Sequence, residues 1–81
     1  MMKAAEKIRI IREAFHMNRS EFAESLGISS ALVSCMEKGK ANVSRKTTLI
    51  LENKYCINPT WLLYDTGRMF IRDDITIDNM K

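Results

Sequence analysis

Apolar residues recur at three- and four-residue intervals along most of this 81-residue chain. Ile8, Ile11, Arg12 and Phe15 follow the i, i+3, i+4, i+7 rule, which lines them up on one stripe and predicts a first helix from Lys3 to Phe15. Phe22, Ala23 and Leu26 share one face of a second helix. Asn18 caps it, and Glu21 stands three residues on, as a capping box requires. Gly27 ends it, because the residue after a helix commonly has positive φ. Ile28 enters a turn, and Ser29 caps a third helix that turns Val33 and Met36 inward. Gly39 stops that helix between Lys38 and Lys40. A fourth helix is expected from Arg45 to Tyr55 with Ser44 as its cap and Thr48, Leu49, Leu51 and Tyr55 facing inward. Asn58 caps a fifth, with Pro59 in its first turn, where a missing N–H is harmless, and Trp61 to Tyr64 following. After Gly67 the period changes. Met69, Phe70 and Ile71 are consecutively apolar, and Ile75 and Ile77 alternate with Thr76 and Asp78, so a short strand or extended arm is expected. A lone strand is unstable and needs a partner.

The stretch from Asn18 to Gly39 has the spacing of two short helices crossing over a tight turn. Close approach of two such helices needs a small side chain, which Ala23 supplies. The turn needs a residue that tolerates positive φ, which Gly27 supplies, and Val33 six places later packs the second helix back on the first. Phe22, Leu26, Ile28, Val33 and Met36 form the expected shared core.

With these residues in place, the chain resembles the helix-turn-helix family of phage Cro and cI repressors, the XRE-like family, over roughly residues 4 to 70. Arg12 stands seven residues before Arg19, Glu37 precedes a closing Lys-Gly, and Ile57 to Leu63 followed by Gly67 looks like that family's fifth helix and its exit. The resemblance implies an all-α, five-helix DNA-binding domain with a short extended C-terminal arm. It implies that the third helix enters the major groove of double-stranded DNA, with Ser29, Ser30, Ala31, Ser34 and Cys35 facing the bases. It places Asn18, Arg19, Lys38, Lys40, Asn42 and Arg45 on the phosphate backbone, with Lys46 adjacent. On the residues alone, Arg12 either snorkels from an apolar stripe or is partly buried; the resemblance favours a pair with Glu37. Arg12, Ala23, Gly27, Val33 and Glu37 are the implied structural positions. Three positions depart from the pattern: His16 and Cys56 stand where the family often has Gly, and Arg45 where it usually has an apolar residue. The third helix also lacks Arg, Lys, Asn and Gln, the strong major-groove readers, so direct readout is expected to be weak per position.

Charge sharpens this picture. The net charge of +3 is unevenly spread: residues 1–20 carry +3, residues 21–37 carry −3, residues 38–54 carry +4 and residues 55–81 carry −1. Positive charge thus flanks the two-helix stretch on both sides, as expected if a phosphate backbone runs past it. Two cysteines and one histidine are too few for a disulfide framework, a zinc site or a His-dependent triad within one chain. No metal, no cofactor and no enzymatic activity are expected. No apolar run approaches the ~20 residues of a membrane span, and the charged start from Lys3 onward carries no secretory apolar region, so a cytoplasmic location away from membranes is expected.

The sequence therefore predicts a helix-turn-helix DNA-binding domain over residues 1–68 and a C-terminal arm over residues 69–81. It predicts a homodimeric transcriptional regulator whose two-fold contact uses Trp61, Leu62, Tyr64, Phe70 and Ile71, where the remaining apolar surplus lies. The competing arrangement has the arm fold back on the first helix. The competing function is a protein-interaction module on the same fold, such as an antitoxin or an anti-repressor partner.

Overall fold

A computed structural model describes residues 3–71. Five helices follow one another: α1 (Ala4–Ala14), α2 (Arg19–Leu26), α3 (Ser30–Glu37), α4 (Arg45–Tyr55) and α5 (Pro59–Tyr64). All five fall where the periodicity and caps place them. α2 packs most extensively on α3, α1 lies against α3 and α5, and α4 lies against α2 and α5. The core is one cluster built from Ile8, Ile11, Phe15, Phe22, Ala23, Leu26, Val33, Met36, Leu51, Tyr55, Ile57 and Leu62. Burying each large member stabilises the fold by roughly 1.5–3 kcal/mol.

The caps fix where the helices start. Asn18 Oδ1 accepts from Glu21 N–H at 2.8 Å, and Glu21 Oε1 accepts from Asn18 N–H at 2.9 Å, which completes the capping box. Ser29, Ser44 and Asn58 each accept a backbone N–H from the first turn they cap. Each helix ends through a residue with positive φ: His16 (56°), Gly27 (69°), Gly39 (76°), Cys56 (57°) and Asp65 (57°). At His16, Cys56 and Asp65 a side chain occupies left-handed backbone, at a cost of order 1–2 kcal/mol each.

Two sequence-based expectations are corrected. Leu49 is 46% exposed, whereas Thr47 is 3% exposed and takes the inward place beside Thr48. A ladder of hydroxyls makes that burial tolerable: Ser44 Oγ donates to Thr47 Oγ1 at 3.0 Å, and Thr48 Oγ1 donates to the Ser44 carbonyl at 3.0 Å. Leu62, expected at a subunit contact, is 1% exposed and belongs to the core of its own chain.

The start of the arm is docked. Ile57 and Phe70 form an antiparallel bridge, with Asn58 N–H donating to Met69 O at 2.8 Å and Ile71 N–H to Cys56 O at 2.9 Å. Phe70 meets Phe15 edge to face at 6.2 Å between centroids. The partner of this extended segment is thus the loop between α4 and α5, and its ring reaches the end of α1. The alternation at Ile75 and Ile77 lies outside the described residues.

Lys7 is the feature that the apolar pattern does not reveal. It is 1% exposed, although it is a lysine. Its ammonium lies 2.9 Å from Asp65 Oδ1, donates to the Trp61 carbonyl and sits 5.1 Å from the centroid of the Trp61 ring. One side chain thereby joins α1 to the C-terminal end of α5, where exposed carbonyls favour a cation.

Candidate nucleic-acid interface

The turn between α2 and α3 has the geometry that its residues demand. Gly27 adopts a left-handed conformation, and Ile28 N–H reaches back to Ala23 O at 3.0 Å. Ala23, 2% exposed, lies in the core against which α3 packs. Val33 and Met36 are buried, so α3 turns its opposite side to solvent. Ser29, Ser30 and Ala31 are exposed there, and Ser34 and Cys35 are half-buried. Ser29 Oγ already accepts Leu32 N–H at 3.1 Å, so its hydroxyl is partly committed to the cap. Leu32, 39% exposed, adds an aliphatic side chain to this helix that the sequence pattern leaves unassigned.

A buried carboxylate holds α3 in place. Glu37 has a side chain only 3% exposed; its Oε2 accepts from Arg12 Nε at 2.8 Å, and its Oε1 from Arg12 Nη2 at 3.3 Å. Arg12 Nη1 donates to the Met17 carbonyl at 3.0 Å. Two N–H groups thus grip one carboxylate while a third grips the loop before α2, the bidentate geometry that arginine provides and lysine cannot. The hydrogen bond to Glu37 is the largest cause of a raised Arg12 pKa; burial opposes it, and the charges of Glu37 and Glu13 assist. The pair joins α1 to the last residue of α3. Arg19, expected only as a phosphate contact, is a third member: its Nη2 lies 3.4 Å from Glu37 Oε1, and its side chain is 50% exposed.

The other expected backbone contacts are exposed. Lys38 and Lys40 close α3, Asn42 follows in the loop, and Arg45 and Lys46 open α4. Asn18 is exposed too, but its side-chain oxygen is taken by the capping box, which leaves its amide N–H₂ to donate. Arg19 and Arg45 are each the first residue of a helix, α2 and α4, where unpaired backbone N–H groups also favour an anion. Glu37 adjoins Lys38 in sequence and Arg19 in space, so the start of α2 meets the end of α3.

A helix-turn-helix family model matches residues 8–62. That span runs from the buried face of α1 through the turn to α5. The chain belongs to the helix-turn-helix family of Cro and cI repressors. Comparison with curated proteins and with solved structures gave no match. The family is one of DNA-binding transcription regulators.

Among the described residues of this family member, no helix is long and apolar enough to cross a membrane, and no group of three or more His, Cys, Asp or Glu is assembled. Cys35 and Cys56 form no disulfide with each other. The residues expected at a subunit contact are divided by the fold. Leu62 is in the core, while Trp61 and Phe70 are half-buried against it. Tyr64 and Ile71, 65% and 50% exposed, point outward, and Leu63 joins them at 43%. Lys7 and Arg19 are the functional or structural charges whose pairing the sequence does not reveal. Lys7 lies four residues before Ile11, one turn away, and this spacing is the signal that places it beside the apolar stripe.

Proposed function

We propose that this protein is a sequence-specific transcriptional regulator of the phage or bacterial repressor type, acting in a prokaryotic cytoplasm. It binds operator DNA as a homodimer with α3 in the major groove. The observation that carries this reading is the seating of α3: its inward side and its terminal Glu37 are locked to the rest of the domain, while its outward side and the basic residues around it stay open. Arg19, Lys38, Lys40, Arg45 and Lys46 hold phosphates, helped by Asn18 and Asn42. Ser29, Ser30, Ala31, Ser34 and Cys35 face the bases. Small side chains allow close approach to the groove floor, but none forms a bidentate pair worth ~1–3 kcal/mol of discrimination. Specificity then rests on DNA shape and on the spacing of two half-sites, ~34–36 Å between centres. A gel shift on DNA flanking the protein's own gene tests this reading; a retarded band that unrelated DNA fails to compete away supports it.

The second copy is needed because one weakly reading helix specifies too little. The free apolar side chains Leu63, Tyr64 and Ile71 support a two-fold contact at α5 and the arm. Removing residues from 68 onward would strip Phe70 from Phe15 and confound the test. Removing residues 72–81 and, separately, Tyr64→Glu leave that docking in place. Each is expected to shift the protein toward monomer in sedimentation and to weaken operator binding, while the helical CD signal stays. Variants that remain dimeric and bind normally place the interface elsewhere.

A protein-interaction module is the second reading. It is favoured by the absence of Arg, Lys, Asn and Gln from α3 and by the exposed Leu32 on that helix. In that case the gel shift gives no band with any duplex.

A further inference from the structure

Glu37 has more contacts than the seating of α3 needs. Arg12 alone satisfies both of its oxygens, at 2.8 and 3.3 Å. Yet Oε1 is shared with Arg19 Nη2 at 3.4 Å, at the first residue of α2. Arg19 is half in solvent, with a side chain 50% exposed, so its guanidinium stands at the boundary between a buried carboxylate and the open surface. A guanidinium is a rigid fork of five N–H donors. With Nη2 at ion-pair distance from Glu37, the half-exposed guanidinium keeps further N–H donors for another acceptor.

We propose that Glu37 is a positioning residue that aims Arg19 at one phosphate of the DNA backbone. The inference rests on the DNA-binding reading above. One carboxylate then sets both the seat of α3 and the place of a phosphate beside α2. The depth of α3 in the groove and the register of the backbone become a single geometric quantity. The arrangement asks for arginine specifically. A lysine in place of Arg19 keeps the charge but cannot turn one planar edge to a carboxylate and the other to a phosphate.

The test uses the full chain and a mixed-sequence duplex of about two helical turns, since a phosphate contact serves any sequence. Wild type, Arg19→Lys, Arg19→Ala, Glu37→Gln and the double variant Arg19→Ala/Glu37→Gln are titrated, and thermal melts are recorded alongside. Arg19→Lys is expected to bind about 10-fold more weakly, close to Arg19→Ala, with its melting temperature near that of wild type. Glu37→Gln is expected to weaken binding several-fold when Arg19 is present and at least about threefold less when Arg19 is Ala. Arg19→Lys binding as tightly as wild type overturns the proposal, because a free point charge then suffices. So does an equal loss from Glu37→Gln in both backgrounds, because Glu37 then only seats α3. The comparison of Arg19→Lys with wild type decides the matter even if Glu37→Gln does not fold. A wild-type protein that binds no duplex defeats the DNA-binding reading itself, a result separate from either of these.

Discussion

Replacing Lys7 with alanine is expected to remove more than half of the protein's stability. The lysine is 1% exposed, and its ammonium is matched by Asp65 at 2.9 Å, by the Trp61 carbonyl and by the Trp61 ring. Removing one partner of a buried pair costs ~3–5 kcal/mol, because the contact that offset the desolvation is lost. Asp65 keeps a 27% exposed side chain and can draw in water, which favours the lower end of that range. Loss of the buried aliphatic stem adds a void between α1 and α5. Against a total stability of order 5 kcal/mol for a domain of this size, such a loss takes more than half. Lys7→Met fills the void but takes the ammonium away from Asp65 and the Trp61 carbonyl, so it is expected to fall between alanine and wild type. Urea unfolding followed by CD measures all three. A Lys7→Ala variant within ~1 kcal/mol of wild type would show that the ammonium is not confined by the fold.

Glu37→Ala is the other large effect. It leaves Arg12, whose side chain is 13% exposed, without its carboxylate, and it releases Arg19 as well. A loss of ~3 kcal/mol or more in stability is expected. Arg12→Ala should cost a similar amount by leaving Glu37 buried at 3% exposure, with only the more distant Arg19 to balance it. The double variant should lose much less than both losses combined, because the second change removes a group that the first had already orphaned. Denaturant melts of the four proteins give the coupling, and simple additivity would show that the contact carries no energy. Because the pKa of Arg12 is raised, its contribution is complete below the ordinary arginine range and is lost only above it. On the arginine side, the cycle is therefore expected to read the same from neutral to mildly alkaline pH.

The features legible in the sequence are local ones. Caps and stops act through neighbouring atoms, so Asn18 with Glu21, Ser29, Ser44 and Asn58 announce the helix starts, and Gly27 and Gly39 the stops. His16 and Cys56 stand where the family pattern often has glycine, and the backbone is left-handed at both. The less legible features depend on which elements meet. Lys7 and Asp65 are 58 positions apart and pair only because α5 crosses α1. Arg19 reads as a free cation because nothing local pairs it; its partner comes from the end of α3. Leu49 sits where a helical count allows either orientation, and packing against α2 and α5 gives the inward place to Thr47. In the arm, the apolar run is clear but its partner is not. Phe70 finds Phe15 and Ile57 within its own chain. Among the candidate site residues, Ser29, Ser30 and Ala31 are exposed and Ser34 and Cys35 half-buried, whereas the expected subunit contact is split between core and surface at Leu62 and Tyr64.

The central claim is that a phosphate backbone runs past α3, held by the exposed cations at the start of α2, the end of α3 and the start of α4. The salt dependence of duplex binding tests it most directly, measured by fluorescence anisotropy over a tenfold range of salt. With about four cations per subunit in a dimer, roughly 6–8 phosphates are neutralised, and the slope of log K against log[salt] should be near −0.9 times that number. Arg45→Ala should make the slope shallower by about one and weaken specific and non-specific DNA alike. A slope near zero, or one that Arg45→Ala leaves untouched together with the affinity, would contradict the claim.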